Sequence, residues 1–101
     1  MSEAAVRLGA PGELQLTGVL DYSTGPALRK QGAGLINSSE LSSVVLDCSG
    51  VEKSSSVGLA LLLAFMRDAR DAGKSVSVRA MPDDMRKIAQ VSELTELFSE
   101  H

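Results

Sequence analysis

Hydrophobic and polar positions change rhythm along this chain, and each change marks an element. Ala5-Val6-Arg7-Leu8 alternates, and Glu13-Leu14-Gln15-Leu16-Thr17 alternates again with Leu14 and Leu16 on one face. A period of two belongs to a half-buried strand, and Ala10-Pro11-Gly12 between the runs is a turn signal. Together they predict a β-hairpin. Gly18-Val19-Leu20-Asp21 is expected to lead the chain out of the sheet. Ser23 or Thr24 can then cap a helix whose first turn holds Pro26. Ala27, Leu28, Gln31, Leu35 and Ile36 recur at helical spacing. Gly32 and Gly34 weaken that helix by up to about 1 kcal/mol each relative to alanine, and Asn37-Ser38-Ser39 closes it.

Ser43-Val44-Val45-Leu46-Asp47-Cys48 has the unbroken apolar character of a central strand buried on both faces. Ser49-Gly50-Val51-Glu52-Lys53 reads as the loop that follows. Ser54-Ser55-Ser56 then precede ten residues, Val57 to Met66, without a charged or polar side chain. Serine is a favoured N-cap and Leu, Ala and Met are strong helix formers, so a helix is expected from near Ser56 to about Ala72. Gly73 stops it. Ser75-Val76-Ser77-Val78-Arg79 alternates as a strand. Pro82 opens another helix, with Asp83 and Asp84 favourably placed in its first turn and Met85, Ile88, Ala89 and Val91 on its inner face. Ser92 is expected to cap a last short helix carrying Leu94, Leu97 and Phe98. The order ββαβαβα plus that short C-terminal helix predicts an α/β fold, a four-stranded mixed sheet with helices packed on it.

Rotating the long helix at about 100° per residue puts Gly58, Leu59, Leu61, Leu62, Phe65, Met66, Ala69 and Ala72 on one side. Arg67, Asp68, Arg70 and Asp71 lie opposite. In the first half, however, the side that should be wet holds Val57, Ala60, Leu63 and Ala64, with Ser56 one turn before Ala60. Two readings stand. Another segment of the chain covers this strip, or the strip docks a partner, as contiguous exposed apolar patches do. The run is too short for a membrane span, which needs about 20 apolar residues.

At 101 residues the length is that of one small domain, residues 1–101. A net charge of −3 lacks the basic balance of a nucleic-acid binder. Cys48 is the sole cysteine, which excludes an internal disulfide and suits a small core residue. With no basic-then-apolar leader, a cytoplasmic location is expected. Chemistry for catalysis is sparse. The one histidine is His101 at the last position, which leaves no Ser-His or Cys-His pair, and no converging ligand set for a metal is visible. Asp47 is expected to bond the loop after its strand. Asp83 and Asp84 are adjacent, so they point apart on a helix. No phosphate-loop spacing occurs around Lys53, and no cofactor motif is present.

Ser56 stands out. A helix start favours negative charge, so a phosphate there would be tolerated, and it would place about −1.5 to −2 charges on the rim of the apolar strip. That is a plausible switch against binding. The alternative is an unmodified N-cap.

Leu46-Asp47, a loop, and Ser55-Ser56-Val57-Gly58-Leu59-Ala60-Leu61-Leu62 together resemble the signature of the STAS domain family. Leu14-Gln15-Leu16-Thr17-Gly18-Val19-Leu20-Asp21 looks like that family's second-strand motif, and the resemblance runs from Leu8 to Phe98. Within the family, Gly58 to Leu63 is most similar to the STAS subunit of the ABC transporter that maintains outer-membrane lipid asymmetry. The resemblance implies a cytoplasmic subunit without catalysis of its own. It would bind the ATPase subunit at the inner membrane, in a hetero-oligomeric complex, through the start of the long helix. Ser55, Ser56, Val57, Ala60, Leu63, Ala64 and Arg67 would be the contact residues. The other implied role is that of an anti-sigma factor antagonist, which binds an anti-sigma kinase and is switched by phosphorylation, here at Ser56. In that branch the pattern is Asp-Ser-Ser-Gly. Ser55 takes the aspartate position, Ser56 the phosphorylated serine, Val57 the second serine and Gly58 the glycine, so the hydroxyl is kept and the acidic neighbour is not. In the transporter subunits the equivalent hydroxyl residue is a threonine, and Ser56 fits there as a contact residue.

Overall fold

The computed structural model describes residues 4–38 and 40–94. Its elements are β1 (Ala5–Leu8), β2 (Glu13–Leu20), α1 (Gly25–Ser38), β3 (Ser43–Ser54), α2 (Ser56–Asp71), β4 (Ser75–Arg79) and α3 (Asp83–Val91). The sheet order is β1-β2-β3-β4. β1 pairs antiparallel with β2 around the predicted turn, where Gly12 takes a positive φ of 80°. The β2–β3 and β3–β4 pairs are parallel, each joined by one helix.

β2 keeps its alternation to the end, and this corrects the expectation for residues 18–20; Asp21 does lead the chain out. Leu14, Leu16, Gly18 and Leu20 are buried, while Glu13, Gln15, Thr17 and Val19 are half-buried on the other face. Instead of leaving the sheet, Gly18–Leu20 pair with the far half of β3. Residues 49–53 are likewise strand, not loop. Two register shifts hid this. β3 spends one extra residue between the Gln15–Asp47 and Thr17–Gly50 pairs, and another between Gly18–Val51 and Val19–Lys53. Each bulge flips the inward phase by one residue, so burial runs Val44, Leu46, Cys48 and then Val51 and Ser54. β3 is interior to the sheet, as expected of a central strand. Its second face, however, is covered by no helix among the described residues. Asp47 lies there, mid-strand and buried, accepting from the Ser49 amide at 3.0 Å and from Arg79 Nη2 at 3.0 Å. Arg79 also donates to Glu13 at 2.7 Å, tying three strands together.

The inner face of α1 consists of Gly25, Leu28, Gly32 and Ile36, with Ala27 and Gln31 exposed. Gly32 is therefore a contact, not a weakness. A Cβ at that position would run into the Phe65 ring, so glycine is what lets α1 approach α2 this closely. α2 ends where expected, with Gly73 at φ 74°. The Gly73 amide bonds Arg70 O and the Lys74 amide bonds Ala69 O, both at 2.9 Å, the paired bonds of a Schellman motif. Ala72 is the exposed C-cap rather than an inner residue.

On α3, Met85 and Ala89 are buried and Ile88 packs against the core, but Val91 is 87% exposed. Ser92 is the C-cap of α3, not the N-cap of a further helix. Glu93 at φ 58° and the Leu94 amide bonded to Ala89 O close α3 with the same paired-bond motif. The expected last helix with Leu97 and Phe98 lies outside the described residues.

The start of the long helix and the groove beside it

The end of β3 delivers α2 through three serines that share the work unequally. The Ser54 amide donates to Asp84 Oδ2 at 2.9 Å, and its hydroxyl donates to Ser55 O at 2.8 Å. Asp84 also accepts from the Met85 amide. It therefore ties the start of α3 to the end of β3, a role beyond favouring its own helix dipole. The Ser55 amide bonds Leu20 O at 3.0 Å, which joins the ends of β2 and β3. Ser55, not Ser56, is the N-cap: its hydroxyl accepts from the Val57 amide at 3.2 Å. Gly58 is required one turn on, because a Cβ there would collide with the Ser54 hydroxyl. Ser56 is the first helical residue, exposed, with no hydrogen bond to its hydroxyl among the described residues.

Ser56, Ala60 and Arg67 are exposed in a line along the outward side of α2. Val57 and Ala64 are half-buried and turn toward α1. They line a groove of about 350 Å³, with Ala60 on its rim and Leu61 at its base. Leu63 is different. It is half-buried and packs against the core, and rotation places it beside Leu59 and Met66, away from the groove. The strip read from the helix wheel is thus split, and Leu63 belongs partly to its own domain.

The opposite wall comes from Tyr22, Gly25, Pro26 and Arg29, which a helix wheel of α2 does not reach because they belong to a different element, distant in sequence. Tyr22 is 84% exposed, and an unusually exposed aromatic is the signal that marks it. The β2–α1 turn that carries it is well held. Asp21 Oδ1 accepts from the Ser23 hydroxyl at 2.6 Å and from the Ser23 and Thr24 amides, and Thr24 Oγ1 donates to Val19 O at 3.0 Å. The Ser23 hydroxyl leads the bonds that hold the Asp21 carboxyl below its usual range against partial desolvation. At the far end of the groove Arg29 grips Asp68 with two bonds, Nε to Oδ2 at 3.1 Å and Nη2 to Oδ1 at 2.9 Å, a bidentate clamp between the helices.

Among the described residues, no group of three or more His, Cys, Asp or Glu side chains could hold a metal ion, and no helix is long and apolar enough to cross a membrane. Cys48 is buried in the core, as its sequence context suggested.

The chain matches the model of a family described as "Mlab, STAS domain" over residues 4–99. It is also similar to solved structures of anti-sigma factor antagonists. Against unphosphorylated SpoIIAA the identity is 16%, covering 98% of this chain and 88% of that one, with a TM-score of 0.74. Against an antagonist from Mycobacterium paratuberculosis it is 24%, covering 98% and 84%, with a TM-score of 0.71. Against the phosphorylated form of the Bacillus cell-fate determinant SpoIIAA it is 18%, covering 98% and 91%, with a TM-score of 0.67. At these identities the structural likeness is one of fold.

Proposed function

The chain belongs to the STAS domain family, and on that premise we propose that it is a single-domain, non-catalytic accessory subunit of an ABC-type phospholipid transporter. It binds the transporter's ATPase subunit and supports assembly or activity of the complex. In this reading it is cytoplasmic and reaches the inner membrane only through its partner. The family description supports the transporter branch. The observation that carries a binding role is the open surface at the start of α2, where exposed Ser56 and Ala60 border the apolar groove shared with α1. Contact through Ser55 is made by its surroundings, because its own hydroxyl is committed to the helix cap.

A second reading rests on one observation, the exposed Ser56 hydroxyl, without a hydrogen bond among the described residues, at the positive end of a helix. There the chain is an anti-sigma factor antagonist that binds a kinase and loses affinity when Ser56 is phosphorylated. The missing acidic neighbour, Ser55 in place of aspartate, favours the transporter reading.

Capture of the tagged chain from its native cells separates the two. The transporter reading expects ABC ATPase and permease subunits and no phosphate on Ser56 by mass spectrometry. An anti-sigma kinase and a phosphorylated Ser56 would overturn it. Ala60→Arg should weaken the complex by about 100-fold or more, because it sets a long charged side chain on the rim of the groove, across the path of the docked partner. It should leave the unfolding midpoint unchanged, because Ala60 is exposed. Retained binding would remove this surface from the interface.

A further inference from the structure

The charge around the groove says what kind of segment fits it, given the docking reading above. α1 contains no acidic residue, and α2 contains none before Asp68. The two helices carry Arg29, Lys30, Arg67 and Arg70 against Asp68 and Asp71, two cations in excess, in a chain whose net charge is −3. Their placement matters more than their number. Lys30 lies four residues after Pro26, and Arg67 three residues after Ala64. Since residues three and four apart share a helix face, both cations stand one turn beyond groove-lining residues, one on each wall. Arg29, between them, keeps 43% of its side chain exposed although Asp68 neutralises it. Asp71 lies one turn beyond Arg67 and offsets only part of this field. At the near end the start of α2 carries about half a positive charge, but the Asp21 carboxylate in the turn beside Tyr22 offsets it, so the cationic excess lies at the far end.

We infer that the groove takes a segment of the ATPase partner with a large apolar side chain at its centre and carboxylates at the end that meets Lys30 and Arg67. The apolar side chain fills the space between Pro26, Val57 and Ala64. The carboxylates set the register of the segment along the two helices and speed its encounter, as complementary rim charges do.

The test is calorimetric titration of the full chain with the ATPase subunit of its own transporter at about 50 mM and about 500 mM NaCl, where the Debye length falls from above to well below 10 Å. Lys30→Glu combined with Arg67→Glu should weaken binding about tenfold or more at low salt, with the gap closing at high salt. Lys87→Glu, an equal charge change per site at an exposed position of α3, should leave affinity unchanged. Unaltered affinity in the double variant, or an equal loss per site in Lys87→Glu, would overturn the acidic-segment inference while leaving docking intact. Full binding by Ala60→Arg, or no binding by the unmodified chain, would overturn the docking reading and this inference with it.

Discussion

Three consecutive serines differ only in position, and position gives them three jobs. Ser54 sits 9% exposed between Asp84 and Gly58. Ser55 caps α2, and Ser56 points to solvent. Ser55→Ala should therefore lower stability by about 1 kcal/mol, the typical cost of losing an N-cap. Ser56→Ala should stay within about 0.5 kcal/mol, as surface changes do. Urea unfolding of the two variants checks this, and equal losses would mean that the cap is shared. The sequence made Ser56 prominent because it begins the apolar run. Choosing among three adjacent serines needed the backbone: Ser55, extended at ψ −175°, stands between the last strand residue and the first helical one, where its hydroxyl meets the Val57 amide.

At the scale of an element, α1 shows how one residue type takes opposite values within two positions. Gly32 lies against the Phe65 ring, whereas a Cβ at Gly34 would meet nothing within 4 Å. Gly34→Ala should thus stabilise the protein by about 0.5–1 kcal/mol through helix propensity and a less free unfolded chain. Gly32→Ala gains the same propensity but overpacks the α1–α2 contact, typically at 1–3 kcal/mol, so a net loss is expected. Thermal or urea midpoints moving in opposite directions would bear this out. A gain at Gly32 would mean that Phe65 can swing clear. β3 makes a similar point, since its two bulges turned a 12-residue strand into a six-residue strand and an apparent loop. Period-two counting fails wherever one partner strand spends an extra residue.

Over the whole molecule, the ion network on the open face of the sheet should govern acid stability. Glu13 is held below its ordinary 4.5 by the Gln15 amide and then by Arg79. Burial pushes the Asp47 carboxyl up, but the Ser49 amide and Arg79 outweigh it and leave the group below its ordinary 3.8. A carboxylate with a depressed folded value binds fewer protons folded than unfolded. Its contribution is complete above the unfolded value and is lost as pH falls through the folded one. The urea midpoint should hold from pH 7 to about 5 and fall below about pH 4. Arg79→Met should lower the midpoint at pH 7 and flatten that acid limb, since both carboxylates lose their cation. An acid limb identical in the variant would assign the pH dependence to other groups.

Alternation, helical spacing and turn residues determined the element order, the hairpin, the α2 boundaries and the four-stranded α/β fold, because these follow from contacts within a few residues and from a face that must be buried. The same signals placed the start of α2 among the three serines. Tertiary structure decided the rest. The register shifts that extend β3, the value of Gly32, the split of Leu63 from the strip and the second wall of the groove at Tyr22, Pro26 and Arg29 all depend on which distant residues meet. A helix wheel identifies the apolar side of a helix, but only packing decides how much of that side the protein keeps for its own core.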